Sequence, residues 1–310
     1  MNNNHRPSIL LIGNNGQVGW ELQRTLATLG NVMVADQVNT RLALNLADPD
    51  SIRSVVREVA PDLIVNAAAY TAVDKAEEEP ELAMTVNGTA PGILAEEAKQ
   101  GGAALIHYST DYVFDGSADS PYSEKDQPNP INVYGRTKLA GDQAIEGVGG
   151  SYLILRTSWV YGARGQNFFL TMLRLAKERE SLKIVDDQIG SPTWCRMIAE
   201  CTAQILASAP VLDGNLDIKA HLADHAGVYN LTSSGSTSWY GFARAILDMT
   251  ATGKQRKLHE LLPIPTSEYP VPAPRPIYSV LSGDKLRDTF GLVMPEWQEA
   301  LELCVGEYWQ

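Results

Sequence analysis

The strongest constraint on this chain is where its first apolar run ends. Ile9-Leu10-Leu11-Ile12 runs directly into Gly13-Asn14-Asn15-Gly16-Gln17-Val18-Gly19. An apolar run without alternation suits a strand buried on both faces. After the loop, Val18, Leu22, Leu26 and Leu29 recur at helical spacing. A strand, a glycine loop and a helix in that order make an anion cradle. Glycine lets the backbone turn tightly and approach a phosphate, and the helix start presents N–H groups and the positive end of its dipole. The G-x-x-G-x-x-G spacing points to the pyrophosphate of a dinucleotide, held by Gly13, Asn15, Gly16, Gln17, Val18 and Gly19. No Gly-Lys-Ser/Thr follows, which excludes a mononucleotide P-loop.

The alternation continues. Asn31 to Asp36, Asp62 to Asn66, Ala103 to Tyr108 and Tyr152 to Leu155 read as strands. Ser51 to Ala60, Glu81 to Gln100 and Asn132 to Glu146 read as helices. Unalternating strands separated by helices imply a parallel sheet covered on both faces. The expected fold class is therefore α/β: a doubly wound parallel sheet of Rossmann type with a second, smaller α/β substrate domain. Residues 1–160 are expected to bind the dinucleotide, with segments of 191–235 returning to that domain, and residues 161–310 to form mainly the smaller one. Helices are expected there at Leu170 to Arg179, at Ser238 to Met249 and near the C-terminus. Six prolines between Pro263 and Pro276 exclude a regular helix and predict an ordered loop.

Charge narrows the partners. The chain has 25 Lys plus Arg against 37 Asp plus Glu, a formal net charge of −12. That balance disfavours nucleic acid and an anionic membrane surface, both of which call for a basic patch. No apolar run approaches the roughly 18 residues of a membrane span, and the polar start, Met1 to Pro7, lacks a signal-peptide core. The three cysteines, Cys195, Cys201 and Cys304, form no C-x-x-C pair, which suits a reducing, cytoplasmic setting. Residues 211–226 read as an exposed insertion. His221 and His225 stand four apart in it, but no acidic or cysteine cluster completes a metal site, and none is expected.

The chemistry concentrates at predicted strand ends. Asp36 ends the second strand, where an acid would bind the adenosine ribose and favour NADH; nearby Arg41 would suit the 2′-phosphate of NADPH, so both cofactors stay open. Asn66-Ala67-Ala68-Ala69 ends another strand with small residues that let a cofactor lie against the backbone. Tyr134 and Lys138 in Tyr-Gly-Arg-Thr-Lys share one helix face. A ketone that accepts hydride needs a proton, and a phenol near pKa 10 gives it poorly unless a neighbouring ammonium stabilises the phenolate. Thr110, in Ser109-Thr110-Asp111-Tyr112-Val113-Phe114, could hydrogen-bond the carbonyl.

With these motifs the sequence resembles the extended short-chain dehydrogenase/reductase family. Within it, the chain is similar to the branch that reduces the C4 keto group of dTDP-4-dehydro-L-rhamnose to dTDP-L-rhamnose. The more specific segments are Val73-Asp74-Lys75-Ala76-Glu77 and Ser109-Thr110-Asp111-Tyr112-Val113-Phe114; Arg156 to Tyr161, Asp187 to Thr193 and Arg275-Pro276 add support. The resemblance implies NADPH or NADH as cofactor, a dTDP-sugar as substrate, and room for a homodimer. It makes Tyr134 the proton donor, with Lys138 tuning it and binding ribose and Thr110 orienting the keto oxygen. Cofactor contacts would extend to Ala67, Ala68, Ala69, Tyr70, Thr71 and Tyr108, and to Asn45 and Leu46, where relatives carry an acid. Thr110, Asp111, Trp159 and Arg275 would meet the substrate, with Arg275 on the diphosphate. Some relatives use Mg²⁺ at a contact between copies. Glu21 would serve there, but Arg196 at the aligned partner position would repel a cation. The alternatives are another nucleotide-sugar reductase or epimerase, or a non-catalytic NADP-binding subunit. A dehydratase is disfavoured because Tyr112, not Glu, follows Asp111.

Overall fold

Strands that are apolar on both faces need cover on both, and the topology supplies it. The structure is a computed structural model that describes residues 6–37, 41–212, 214–250 and 256–309. Residues 1–5 of the polar start therefore lie outside the described residues. The main sheet contains β1 (Ser8–Ile12), β2 (Asn31–Asp36), β3 (Leu42–Ala43), β4 (Leu63–Asn66), β5 (Ala104–Thr110), β6 (Tyr152–Thr157) and β7 (Gly227–Asn230). All pair in parallel, in the order 3-2-1-4-5-6-7. The order reverses between β1 and β4, and ligands of open α/β sheets bind in the crevice at such a point.

The side chains of β1 divide between two cores. Ile9 and Leu11 pack with Leu22 and Leu26 of α1 (Gln17–Leu26) and with Ile198 and Ile205 of a helix at Cys195–Ala207. Leu10 and Ile12 pack on the other face, against α2 (Pro49–Val59), α3 (Ala90–Gly101) and α4 (Val133–Val148). Local chemistry sets the helix starts. Pro49 opens α2 while Asp48 Oδ1 accepts from Asp50 and Ser51 N–H. Asn132 Oδ1 accepts from Gly135 N–H at 2.7 Å and so places Tyr134 in the first turn of α4.

Two expectations need correction. The helix expected over 81–100 is interrupted: Pro80–Met84 passes through a π-helical turn at Thr85–Thr89 before α3. Buried Asn87 lies in that turn and bonds elsewhere. Residues 214–226 are not simply an exposed loop either, although Val211 and Leu212 before them are exposed. Ile218–Asp224 is helical, and His221 is buried with its Nε2 3.1 Å from Ile205 O. Its ring meets Phe290, 69 positions further along the chain and beyond the reach of any local pattern. The proline-rich stretch holds a feature not expected from sequence. Glu260–Ile264 pairs in parallel with Ser181–Val185 before the chain becomes irregular. Asn132 Nδ2 ties that irregular part to the start of α4 by donating to Pro274 O at 2.9 Å.

Candidate active site

The glycine loop is shaped by close approach. Gly13 has φ +88°, and a Cβ there would stand 2.6 Å from Ala68 N. A Cβ on Gly19 would lie 2.1 Å from Gly13 O, so α1 rests directly on the loop. No side chain caps the start of α1 at Gly16. Two cavities meet along this seam. One of about 330 Å³ is lined by Gly13, Asn15, Asp36, Leu46, Ala68 and Ala69. The other, of about 500 Å³, runs from Asn15, Gly16, Gln17 and Val18 past Ala67, Ala68, Ala69 and Thr71 to Tyr108, Thr110, Asp111, Tyr134, Lys138 and Trp159. A backbone cradle that no Cβ could enter, a helix start and a continuous elongated space fit a dinucleotide. At the outer end Asn15 Nδ2 donates to Asp36 Oδ2 at 2.6 Å.

β5 delivers Thr110 and α4 delivers Tyr134 and Lys138 to the inner cavity. Thr110 Oγ1 donates to Asp111 Oδ1 at 3.0 Å and accepts from Tyr112 N–H at 3.1 Å. Ser158 Oγ donates to Asp111 Oδ2 at 3.0 Å. Burial pushes Asp111 up to about 6, against the pull of Ser279, Ser158 and Thr110. Lys138 Nζ donates to Tyr108 O at 2.6 Å and stands 3.0 Å from His107 Nε2. Burial brings it down to about 8 while Asp142 opposes the shift. One expectation is corrected here. The Tyr134 phenol lies above its ordinary range, not below it. Burial raises it, a hydrogen bond with Thr110 lowers it, and Asp111 and Asp142 raise it further. In this arrangement the Lys138 amine lies against Tyr108 O and His107 Nε2.

Gly19, Asn45, Tyr70 and Arg275 stand outside these two cavities. Asn45 Oδ1 accepts from Gln37 Nε2 and from Ala47 N–H. Tyr70 turns its hydroxyl to Glu79 at 2.7 Å. Arg275 makes a two-pronged pair with Asp74, at 2.6 and 2.8 Å. It lines a third cavity of about 460 Å³, to which Tyr112 and Trp239 also belong. Trp239 lines the inner cavity as well, so the two spaces adjoin. Trp159 has φ +44° and stacks on Trp239 with centroids 3.6 Å apart. That conformation is strained for a bulky residue, and strain of this kind gathers at functional sites.

Sequence reasoning passed over several supports. Asn87 clamps the loop after β4: its Oδ1 accepts from Tyr70 N–H, and its Nδ2 donates to Tyr70 O and Thr137 Oγ1. Its signal was an asparagine inside a helical pattern. Asp142, one turn beyond Lys138, accepts from Ser109 Oγ at 2.8 Å and faces Arg156 at 3.5 Å, both charges buried. Trp239 had no local signal. Near α1, Glu21 is paired with Arg196 and Arg24, and Arg196 also reaches Glu307. Among the described residues no cluster of three or more His, Cys, Asp or Glu could hold a metal. Among them, too, no helix is long and apolar enough to cross a membrane.

Similarity to known proteins agrees with this geometry. The family described as the RmlD substrate binding domain matches residues 7–309. A dTDP-4-dehydrorhamnose reductase of Burkholderia thailandensis is 49% identical over 302 residues, covering 96% of this chain and 98% of its own. One from Escherichia coli K12 is 46% identical, covering 97% of each. A crystal structure of dTDP-4-dehydrorhamnose reductase from Bacillus anthracis in complex with NADP superposes with a TM-score of 0.86 at 36% identity, covering 97% of this chain and 99% of that one. With the glycine cradle, the strand-end hydroxyl and the Tyr134/Lys138 pair on one seam, the chain belongs to the RmlD substrate-binding-domain family, that of the dTDP-4-dehydrorhamnose reductases.

Proposed function

We propose that this chain reduces the C4 keto group of dTDP-4-dehydro-L-rhamnose to give dTDP-L-rhamnose, using NADPH or NADH. The observation that carries the reading is the meeting of Thr110, Tyr134 and Lys138 in a cavity continuous with the glycine cradle. The dinucleotide supplies hydride when bound. Gly16, Gln17 and Val18 would hold its pyrophosphate at the start of α1, and Asp36 and Leu46 its adenosine end. Thr110 turns its hydroxyl from Asp111 to the keto oxygen and orients it. Tyr134 gives its proton to that oxygen as negative charge develops. The ammonium of Lys138, one turn away, stabilises the phenolate that remains. Arg275 and the third cavity adjoin the inner one and suit the diphosphate and nucleoside of the substrate. In this reading residues 1–160, with returning segments of 191–235, hold the dinucleotide, and 161–310 hold the sugar nucleotide. Three unpaired, buried cysteines favour a cytoplasmic site of action.

The test generates dTDP-4-dehydro-L-rhamnose from dTDP-glucose with a dehydratase and an epimerase, then follows loss of reduced-nicotinamide absorbance on adding this chain. Oxidation that needs all three proteins and yields dTDP-rhamnose is expected. No oxidation with either cofactor, by protein that binds one, would overturn the reading. A second prediction concerns cofactor choice. Asp36 stands at the rim of the outer cavity, so Asp36→Ala should shift the ratio of kcat/KM for NADH over NADPH about tenfold toward NADPH. An unchanged ratio would remove Asp36 as the ribose reader.

A further inference from the structure

We propose that His107, held in one tautomer by Asn66, is a positioning residue that decides where Lys138 stands and whether its amine carries a proton. The proposal rests on the placement of Lys138 in the site described above. Asn66 and His107 are register partners on β4 and β5. Ala68 N–H donates to Asn66 Oδ1 at 3.2 Å. A backbone N–H can only donate, so the amide orientation is set and its NH₂ faces His107 Nδ1 at 3.1 Å. That nitrogen must accept. Burial first, and then the neighbouring Lys138 charge, take the ring well below the usual histidine range, so it is neutral. Its single proton therefore sits on Nε2, 3.0 Å from Lys138 Nζ.

An ammonium has three donors and no lone pair, so it cannot accept that proton. A neutral amine can, while still donating to Tyr108 O at 2.6 Å. The place beside His107 is thus a seat for the amine. Protonated Lys138 meets the positive edge of a fixed N–H and leaves for the cavity it lines, which also holds Tyr134. The groups around it act in opposite directions. Asp142, on the same helix, favours the ammonium, and Arg156 on β6 offsets part of the Asp142 charge. His107 on β5 favours the amine. Asp111, at the end of β5, and Asp142 both act on Tyr134. Seating the amine and releasing the ammonium couples the place of Lys138 to its charge.

The test labels lysine with ¹³C at Cε and titrates the intact protein. The Lys138 resonance is assigned by its loss in Lys138→Met. His107→Gln can turn a carbonyl toward Nζ. Asn66→Asp presents an acceptor to Nδ1, moves the ring proton there and leaves Nε2 to accept. Both should raise the Lys138 midpoint by about one unit, a tenfold weaker acid, and carry the basic limb of kcat upward with it. An unmoved midpoint in both variants, with kcat lowered or not, would reduce His107 to a packing residue and overturn the proposal. Should the variants fail to fold, the ¹⁵N shifts of His107 in the wild type decide. A protonated Nε2 with a pyridine-like Nδ1 is expected, and the opposite tautomer or an imidazolium would overturn it. A Lys138 midpoint that moves while the kcat limb stays would support the seat and count against the catalytic reading of Lys138.

Discussion

Tyr134→Phe should lower kcat about 10²-fold or more while leaving dinucleotide affinity near wild type. That loss is about 2.7 kcal/mol of transition-state stabilisation. The change removes one hydroxyl and keeps the ring, which packs edge-on against Tyr112 with centroids 5.8 Å apart, so the fold should hold. Burial and the nearby Asp111 and Asp142 keep the phenol protonated in the chain as it stands. On the proposed reaction it would therefore meet the substrate as an acid with its proton in place. The effect should fall on kcat, because the proton matters where the alkoxide forms and little in binding. Stopped-flow and steady-state rates measured beside a cofactor titration would decide. Turnover within a few-fold of wild type would remove Tyr134 as the acid.

The second large effect is on stability. Asp142 and Arg156 are both buried, at 0% and 3% exposure, and face each other at 3.5 Å. Ser109 supports the carboxylate. Removing one partner of such a pair leaves a charge without water or a counter-ion, which costs about 3–5 kcal/mol. Asp142→Ala should therefore move the urea midpoint sharply down. The double change Asp142→Leu with Arg156→Met should recover much of the loss, because it removes both charges and restores apolar volume. A single-variant loss below about 1 kcal/mol, the size of an exposed pair, would mean that water reaches Arg156.

The parts legible in the sequence were those in which one element carries its own signal. β1 and the glycine loop could be read because burial on both faces needs an unbroken apolar run and a cradle needs glycine at set spacing. Tyr134 and Lys138 could be read because four positions make one helical turn. The strand-end hydroxyl at Thr110 followed from the end of β5. Other features had no such local pattern. The pair of Arg275 with Asp74 spans 201 positions. Trp239 stacks on Trp159 from a helix far along the chain. His221 is buried because a segment that reads as a loop meets Phe290.

The sequence by itself determined the sheet, its glycine-lined seam and the candidate side chains Thr110, Tyr134 and Lys138 that line one cavity with it. Spacing along one strand or one helix translates directly into spacing in space. Only the tertiary structure decided the protonation landscape around them. Burial raised Tyr134, lowered Lys138 and raised Asp111, and the pairing of β4 with β5 set Asn66 and His107 in a row that ends on the lysine amine. Desolvation and contacts between strands depend on what the rest of the chain excludes from water, and no local pattern of residues records that.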